Sequence, residues 1–341
     1  MKILVLGGTR FIGRALVESL LADGHTVALL HTGHHNPFGD SVQHLLADRQ
    51  DYRALQRALR GRHFDVVFEH AYVHPIGTRP EDVQAVLDAL PTPPKRVVFT
   101  SSAAVYEVGP GVDSPIVETS PYASRGDTYS VHKIETEQAL LKAHRDGLFE
   151  TAIVRPSFVI GPYSPGERLG FFWDRLLANR PIVLPDQGET RLQFAYVHDV
   201  AHALRSAAVH GAAAGQAYNV GWQDAITQRE LIAQLAELAE VTATIAPIPR
   251  EALFAAGASP FDAPYYFGES LDISGVLGEF HLSTERARQE LPGRETPWVD
   301  ALQASYQWYL SQRDLRPPMN TEFEDAVLQG VPTMALTPPE R

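Results

Sequence analysis

Tyr129 and Lys133 combine residue types and a spacing that can carry out proton transfer. They are separated by three residues in a stretch predicted to be helical as far as about His144, and residues four apart lie one above the other on a helix face. A phenol with an ordinary pKa of about 10 is a poor base at neutral pH, and lowering that pKa to about 7 requires roughly 4 kcal/mol of preferential stabilisation of the phenolate. A neighbouring ammonium supplies part of this stabilisation. The pair therefore predicts an acid–base site.

A glycine-rich loop, GGTRFIG from Gly7 to Gly13, joins the first predicted strand to the first predicted helix. Gly7 permits a tight turn, and Gly13 permits close packing of the helix against the strand. Free N–H groups and the positive end of the helix dipole at a helix N-terminus bind phosphate groups. The loop therefore predicts a binding site for a dinucleotide pyrophosphate, with a plain strand-to-helix turn as the alternative.

Short apolar runs alternate with amphipathic stretches through the first half of the chain. Strands of a parallel sheet need no polar alternation, because both faces of the sheet are covered. A helix that ends at Asp23-Gly24 follows Gly13, and another begins at Tyr129. The alternation predicts an α/β fold with a Rossmann-like doubly wound parallel sheet. The predicted strands are Ile3–Leu6, Val27–Leu30, Leu45–Leu46, Val66–Phe68, Val97–Phe99 and Ala152–Val154.

Prolines interrupt this alternation after Pro156. Helices are predicted over 171–178 and 199–208, and a strand over 217–220 could return to the sheet. A short helix in the C-terminal tail is predicted from a Thr321/Glu324 capping pattern. The expected organisation is a dinucleotide-binding Rossmann-like domain of residues 1–165, to which 190–222 return, a smaller and mainly helical C-terminal substrate lobe of 166–189 and 223–315, and a tail of 316–341 that is a surface clasp or partly ordered.

These motifs together resemble the extended short-chain dehydrogenase/reductase family. The glycine loop is similar to the family's GxxGxxG fingerprint, with Arg10 where the middle glycine is expected, and Tyr129 and Lys133 match its YxxxK motif. The resemblance covers residues 1 to about 310. The GGTRFIG loop, the lack of an acid after the second strand and the glutamine before Tyr-Val-x-Asp are similar to a branch that contains the chloroplast stem-loop RNA-binding proteins and many bacterial epimerase-like proteins. Further segments that match in the family's order are Glu118 and Pro121, Arg155-Pro156, Gly161-Pro162 and Tyr196-Val197-His198-Asp199-Val200.

The resemblance assigns roles to three side chains. The segment FTSSAAVY is similar to the family's serine segment and selects Ser102 rather than Ser101, with the hydroxyl of Ser102 hydrogen-bonding the substrate oxygen. Tyr129 becomes the general acid and base. Lys133 lowers the pKa of the phenol and hydrogen-bonds the ribose of the nicotinamide half of the cofactor. The catalytic residues implied by the resemblance are Ser102, Tyr129 and Lys133.

The cofactor implied by the resemblance is NAD or NADP. His31 follows the second predicted strand, where NAD-specific relatives usually place an acid that holds the ribose 2′-hydroxyl. Without a carboxylate nothing repels a 2′-phosphate, and the guanidinium of Arg10 could pair with a phosphate, so the sequence slightly favours NADP. Asp48 stands where the family contacts adenine, with a helix-capping role as the alternative. The expected cofactor-binding residues are Gly7, Thr9, Arg10, Phe11, Ile12, Gly13, His31, Asp48, Arg49, Ala71, Lys133 and Pro156.

The resemblance implies epimerisation, dehydration or reduction of a nucleotide-linked sugar through a keto intermediate. The asparagine that commonly contacts the diphosphate in such enzymes is missing, because Ser157, Phe158 and Val159 follow Pro156. Arg191 lies near the position of a diphosphate-binding basic residue but is slightly displaced. The expected substrate contacts are Ser102, Phe158, Arg191 and Gln193.

Two other functions are compatible with the same sequence. One is an NADP-dependent carbonyl reductase of a smaller, less polar metabolite, with a pocket lined by Phe158, Phe171, Phe172 and Trp173, although core packing is the alternative for most of these rings. The other is a non-catalytic protein that uses the fold to sense the cofactor or to bind RNA. The retained Ser102, Tyr129 and Lys133 favour an enzyme.

The composition limits the partners of the chain. With 41 acidic and 29 basic side chains the formal charge is −12, which disfavours nucleic acids and anionic membranes. There are no cysteines, so disulfides and thiolate chemistry are excluded. No apolar stretch reaches the roughly 18 residues that a membrane span needs. A cytoplasmic protein with a small-molecule substrate is expected, and relatives often form homodimers through the helix that bears YxxxK.

Histidines form two sequence clusters of interest. His31, His34 and His35 lack carboxylate or cysteine partners at a suitable spacing, so no metal is expected. His70 and His74 flank Tyr72 near the expected nicotinamide side. A substrate contact and a satisfied structural histidine are both compatible with their positions.

Overall fold

Strands and helices alternate through the first half of the chain, as the sequence predicts. The computed structural model describes residues 1–71, 77–108, 113–124, 128–164, 168–257, 269–271, 277–279, 281–293 and 295–336. The strands in these ranges are β1 (Lys2–Leu6), β2 (Thr26–His31), β3 (Gln43–Leu46), β4 (Val66–Glu69), β5 (Arg96–Thr100), β6 (Glu150–Pro156), β7 (Phe158–Ile160), β8 (Ile182–Pro185), β9 (Arg191–Leu192), β10 (Phe194–Tyr196), β11 (Gln216–Val220), β12 (Ile226–Thr227), β13 (Thr244–Ile248), β14 (Glu269–Leu271), β15 (Leu277–Glu279) and β16 (Met334–Ala335). The α-helices are α1 (Phe11–Ala22), α2 (Tyr52–Leu59), α3 (Pro80–Ala89), α4 (Thr128–Arg145), α5 (Arg168–Leu177), α6 (Val197–Val209), α7 (Gln228–Leu238), α8 (Arg250–Ala255), α9 (Glu285–Glu290), α10 (Trp298–Gln312) and α11 (Glu322–Val327).

One parallel sheet of seven strands organises the described part of the chain, in the order β11-β6-β5-β4-β1-β2-β3. All six strands predicted from apolar runs belong to it. The strand predicted near residue 217 returns to its edge, where Tyr218 of β11 lies opposite Val154 of β6. The Rossmann-like doubly wound sheet is therefore confirmed.

Helices cover both faces of this sheet, because successive residues of a strand point to opposite sides. In β1, Ile3 and Val5 pack on the face covered by α1 and α6, whereas Leu4 and Leu6 pack on the face covered by α2 and α3. All four side chains are buried. The burial explains why the strands are continuous apolar runs.

The chain reverses direction across the sheet between β1 and β4. It runs outward from β1 through β2 to β3, then crosses back to β4 and continues to β5 and β6. Such a reversal opens a crevice at the carboxyl ends of the strands, which is where open α/β sheets bind their ligands. The functional site is therefore expected at the carboxyl edge of β1, β4 and β5.

The C-terminal part is mainly helical, as predicted, with α5, α7 and α10 packed together. It also contains a three-stranded sheet, β16-β13-β8, that the sequence did not predict. Pro247 lies within β13, and a proline in a short run argues against a strand. In the structure β13 nevertheless pairs in parallel with β8, with Pro247 opposite Leu184. The pairing of β13 with β8 therefore outweighs the tendency of proline to exclude a strand.

Two of the aromatic residues considered for a pocket belong to the core of this lobe. Phe172 and Trp173 are buried in α5. The ring centroid of Trp173 lies 4.9 Å from that of Tyr306 and 5.2 Å from that of Tyr309, both in α10. Core packing, the alternative that the sequence left open, is what the structure shows for these two rings.

The tail is held against the lobe by a buried ion pair and a strand. Glu324 of α11 pairs with Arg175 of α5, and β16 adds to β13. The short helix predicted from the Thr321/Glu324 pattern is present, but the capping box is not. The hydroxyl of Thr321 donates instead to Asp325, at 2.8 Å, because residue 321 has a φ of −125° and a ψ of 5° rather than the extended backbone of an N-cap.

Candidate active site

The glycine loop forms a cradle of main chain at the carboxyl end of β1. Gly7 has a φ of +77°, and a Cβ on it would lie 2.8 Å from the Cα of Ala71. A Cβ on Gly13 would lie 2.1 Å from the carbonyl oxygen of Gly7. Glycine is therefore required at both positions, and the first turn of α1 offers its free N–H groups above the loop. The arrangement fits a dinucleotide pyrophosphate.

Arg10 stands at the start of α1, in the N-cap position and with extended backbone. Its side chain is exposed, so the guanidinium lies on the solvent side of the cradle. A residue with a side chain is accommodated here because its φ of −136° is one that any residue adopts. The unusual residue of the loop thus costs the fold no backbone strain.

Tyr129 and Lys133 lie one turn apart in α4, as predicted. The Nζ atom of Lys133 lies 5.7 Å from the centre of the Tyr129 ring. The ring itself packs on Gly77, where a Cβ would come within 3.0 Å of Cδ2 of Tyr129. Gly77 has a φ of +79°, so both its conformation and its contact with the ring favour glycine.

Lys133 is buried and bonded to the end of β5. Its Nζ atom donates to the carbonyl oxygen of Thr100 at 2.7 Å and to the hydroxyl of Thr78 at 3.4 Å. Burial lowers the pKa of Lys133 to about 8, opposed by the negative charge of Glu69. The ammonium is thus fixed beside the phenol, with a pKa closer to neutrality than that of an exposed lysine.

Ser102 follows Thr100 by two residues and begins a short 3-10 turn. Its Oγ accepts a hydrogen bond from the backbone N–H of Ala104 at 3.1 Å, which leaves its own O–H able to donate. The side chain is half-buried, whereas that of Ser101 is buried and its Oγ has no partner among the described residues. The structure therefore brings Ser102, Tyr129 and Lys133 to the same edge of the sheet.

A buried polar chain that the sequence did not reveal lies beside these residues. Arg49 and Glu69 form a bidentate pair with distances of 2.9 and 3.1 Å. Glu69 also accepts from the backbone N–H of Ala71, and the carbonyl oxygen of Ala71 accepts from Thr78 at 2.6 Å. The clue in the sequence is a glutamate that ends the otherwise apolar run of β4.

A family model for the NAD dependent epimerase/dehydratase family matches residues 3–221, which is more than half of the chain. The chain belongs to this family. The matched residues include the glycine loop, the serine segment and the YxxxK helix described above. Membership makes the protein an NAD(P)-binding enzyme of the extended short-chain dehydrogenase/reductase kind, as the motifs indicated.

Relatives of the chain include proteins with different names. The chloroplast stem-loop binding protein of 41 kDa b of Arabidopsis thaliana is 29% identical, over 96% of this chain and 84% of that protein. The sterol-4-alpha-carboxylate 3-dehydrogenase, decarboxylating, of Mus musculus is 29% identical, over 64% of this chain and 63% of that protein. Among solved structures, the UDP-glucose 4-epimerase of Thermus thermophilus in complex with NAD has a TM-score of 0.69 and 22% identity, over 91% of this chain and 99% of that one. At that identity the solved structure shows a shared fold.

In this family member, a buried ion pair anchors the helix that carries Tyr129 and Lys133. Glu137 lies one turn after Lys133, and its carboxylate accepts from Nε of Arg155 at 2.9 Å. Arg155 also donates to the hydroxyls of Tyr106 and Tyr122. Both members of the pair are buried. The sequence identified Arg155 through the Arg-Pro motif of the family. It did not identify Glu137 as the partner of Arg155, because only the packing of α4 on β6 brings the two residues together.

Glu137→Gln is expected to lower the free energy of unfolding by about 3–5 kcal/mol, because it leaves a buried guanidinium without a counter-charge. Urea unfolding followed by far-UV circular dichroism measures the change. Asp146→Asn is the matched control: Asp146 directly follows α4, its pair with Lys142 of that helix is exposed, and we expect a change within about 0.5 kcal/mol. Equal effects of the two variants would contradict the importance of burial.

The predicted substrate contacts lie in different surroundings. Gln193 is fully buried and hydrogen-bonds main chain, donating to Trp222 and Leu282 and accepting from Leu282. This arrangement gives it a structural task, and it has no part in the proposed mechanism. Arg191 is exposed and donates to the carbonyl of Ala225, whereas Phe158 is half-buried in β7.

The residues expected on the adenosine side follow β2 and β3. His31 ends β2, and its Nε2 lies 2.8 Å from Nδ1 of His44. Asp48 is exposed and accepts from the N–H of Gln50. The alternative of Asp48 as a helix cap is wrong, because Asp51 caps α2 by accepting from the N–H of residue 54.

The remaining histidine expectations have different outcomes. No group of three or more histidine, cysteine, aspartate or glutamate residues that could hold a metal occurs in the described ranges. His74 and Tyr72 lie outside the described residues. His70 is half-buried, and its Nδ1 is inaccessible and has no partner among the described residues. No helix that the structure describes is long and apolar enough to cross a membrane.

Proposed function

We propose that the protein is an NAD(P)-dependent oxidoreductase of the epimerase/dehydratase type in which Tyr129 is the general acid and base. The contact of Lys133 with β5 carries this proposal: Nζ donates a 2.7 Å hydrogen bond to the carbonyl of Thr100, two residues before Ser102. It fixes the ammonium beside the phenol at the edge where the glycine loop also lies. A phosphate cradle, a hydroxyl, a phenol and an ammonium then share one crevice.

The residues at this edge would hold the dinucleotide in three groups. The loop from Gly7 to Gly13, including Thr9, Phe11 and Ile12, would bind the pyrophosphate through main-chain N–H groups. His31, Asp48 and Arg49 would face the adenosine half. Ala71, Lys133 and Pro156 would face the nicotinamide half. The bound cofactor supplies a ring that accepts or donates the hydride.

Tyr129 would move the proton that accompanies the hydride. In the oxidative direction its phenolate would take the proton of the substrate hydroxyl, and the bound cofactor would accept the hydride from the carbon that bears this hydroxyl, which would leave a carbonyl. In the reductive direction the phenol returns the proton to the oxygen as the carbonyl is reduced. Ser102 donates a hydrogen bond to the same oxygen, and Lys133 stabilises the phenolate.

A nucleotide-linked sugar is the substrate class that we propose. Family membership supports it, and so do exposed guanidinium groups at the start of α5 and in β9, at Arg168 and Arg191, which suit an anionic diphosphate. A smaller, less polar carbonyl compound is the alternative that Phe158 would favour, because a phenyl ring stands near the position where many relatives have an asparagine.

The decisive experiment identifies the cofactor that co-purifies and the product that is formed. We expect mass spectrometry of the denatured protein to release a nicotinamide dinucleotide, and NMR to show conversion of a UDP-, dTDP- or GDP-linked sugar without net consumption of cofactor. Stoichiometric consumption of NADPH with a small carbonyl compound would replace the epimerase assignment by that of a reductase. A protein that binds no dinucleotide would contradict the proposal as a whole.

Arg10→Ala is expected to weaken NADP binding by about tenfold and NAD binding by less than about twofold, because a guanidinium at the helix start pairs with a 2′-phosphate that only NADP carries. Fluorescence titration with NADPH and NADH measures both dissociation constants. Arg14→Ala is the matched control, since Arg14 lies in the same helix but pairs with Glu18. Equal losses of the two cofactors would reject this role for Arg10.

RNA binding is a second candidate, favoured by the relative in Arabidopsis that is named for stem-loop binding and aligns with 96% of this chain. The formal charge of −12 opposes it, because affinity for RNA depends on neutralising phosphates. A mobility shift of a stem-loop RNA measured at two salt concentrations separates the candidates. A salt-dependent shift at low protein concentration would favour RNA binding.

A further inference from the structure

Glu69 is a buried carboxylate at the end of β4, where the strands on either side end in apolar or hydroxyl residues. It is 1% exposed, and both of its oxygens bond to Arg49, which is 6% exposed. A buried ion pair is costly to desolvate and is weak evidence for stability by itself. The pair lies at the carboxyl edge of the sheet, where open α/β sheets bind their ligands, and this position points to a functional role.

The hydrogen bonds of Glu69 lead to the glycine loop in one direction. Its Oε1 accepts from the N–H of Ala71 at 3.0 Å. The Cα of Ala71 is the atom that lies 2.8 Å from where a Cβ on Gly7 would be. The carboxylate thus fixes the main chain on which the phosphate cradle rests.

The same hydrogen bonds lead to the catalytic helix in the other direction. The carbonyl of Ala71 accepts from the hydroxyl of Thr78, and this hydroxyl accepts from Nζ of Lys133. The carbonyl of Thr78 accepts from Thr136 of α4 at 2.9 Å. Gly77, the residue before Thr78, supports the Tyr129 ring. One chain of contacts therefore joins the cradle, the phenol and the ammonium.

Electrostatic interactions also connect Glu69 with Lys133. The charged and titratable groups that face Lys133 are Glu69 of β4, Arg49 after β3, His70 after β4, and Glu137 and Tyr129 of α4. Glu69 and Glu137 raise the pKa of Lys133, whereas Arg49 lowers it, and Glu69 contributes the most among the three. The ammonium keeps its proton near neutral pH partly because of Glu69.

We propose that Glu69, held by Arg49, is a positioning residue that fixes the ammonium of Lys133 through the main chain of Ala71 and the hydroxyl of Thr78. The inference rests on the proposed function, in which Lys133 activates Tyr129. It adds a group that touches neither substrate nor cofactor and reaches Lys133 through the hydrogen bonds of Ala71 and Thr78.

Lysine-selective ¹³C NMR of the cofactor-free protein tests the charge. The chain has four lysines, and the three others, Lys2, Lys95 and Lys142, are exposed and serve as internal references. We expect Glu69→Gln to lower the pKa of Lys133 by on the order of one unit, because an opposite charge nearby favours the ammonium. We expect the alkaline limb of kcat/KM to move to lower pH by the same amount. If Glu69→Gln fails to fold, the double variant Glu69→Leu/Arg49→Met replaces the pair by apolar groups and should shift the pKa in the same direction by less.

Thr78→Val tests the hydrogen-bonded link without a change of charge. We expect kcat to fall by about tenfold, and Thr78→Ser, which keeps the hydroxyl, to restore it. A pKa of Lys133 that is unchanged in the Glu69→Gln variant, or equal activity of the Thr78→Val and Thr78→Ser variants, would overturn the positioning role. A wild-type protein without NAD(P)-dependent turnover would instead contradict the proposed function, while the NMR result would still decide the electrostatic coupling.

Discussion

Tyr129→Phe is expected to reduce kcat by on the order of 10³-fold while the dissociation constant for the cofactor changes by less than about twofold. The phenyl ring keeps the contact with Gly77, so the backbone at the start of α4 stays supported. Only the hydroxyl that carries the proton is lost. Steady-state turnover with an identified substrate and fluorescence titration with NADH measure the two quantities.

Tyr306→Phe is the matched control for this variant. It removes a hydroxyl from α10, where the ring packs on Trp173 in the core of the C-terminal lobe rather than at the edge of the sheet. We expect turnover close to that of the wild type. Full activity of Tyr129→Phe would end the assignment of Tyr129 as the acid–base group, and a parallel loss of cofactor binding would indicate a structural effect instead.

Lys133→Met is expected to reduce kcat by on the order of 10²–10⁴-fold and to weaken cofactor binding, because the ammonium serves both the phenolate and the ribose in the proposed mechanism. The same variant is expected to stabilise the cofactor-free protein at pH 7. Burial lowers the pKa of Lys133 from 10.5 to about 8, and this shift corresponds to about 3 kcal/mol. Methionine has a similar length and no charge to desolvate.

The sign of the pH dependence follows from the lowered pKa. Between pH 8 and 10.5 the folded protein binds fewer protons at Lys133 than the unfolded chain does, so the free energy of unfolding rises with pH through this window. Below pH 8 the full penalty is present. Urea unfolding of the cofactor-free protein at pH 7 and at pH 10 measures the difference, which Lys133→Met should remove.

The activity of the wild type is expected to fall over the pH range in which the free energy of unfolding rises. As the ammonium of the free enzyme is lost above about pH 8, kcat/KM is expected to fall. Lys142→Met is the matched control, since Lys142 lies in the same helix with 69% of its side chain exposed. A Lys133→Met protein that is both less stable and as active as the wild type would refute this account of the residue.

Glu69 connects these two predictions. Glu69 makes the largest contribution among the charges that raise the pKa of Lys133. Its removal should therefore lower the pH above which the ammonium loses its proton. Lys133→Met removes the group itself, whereas Glu69→Gln changes only its titration. The two variants together separate the presence of a cation from the control of its proton.

The sequence by itself determined the class of fold and indicated the residues of the proposed catalytic group. Apolar runs predict strands reliably here because both faces of the sheet are buried, so each strand carries its own signature. Gly7, Gly13, Tyr129 and Lys133 could be found because their tasks require fixed spacings within a single turn or helix. Such local constraints are visible along the chain without any knowledge of packing.

The tertiary structure alone decided which polar residues meet. Arg49 and Glu69 are 20 positions apart, and Glu137 and Arg155 are 18 apart, so neither pair has a spacing that a helix or strand would impose. Gln193 donates to the main chain of Trp222 and Leu282, two contacts that no spacing in the sequence indicates. Burial and the partners of a charge depend on how distant segments pack, and they set both the pKa of Lys133 and the surroundings of the proposed site.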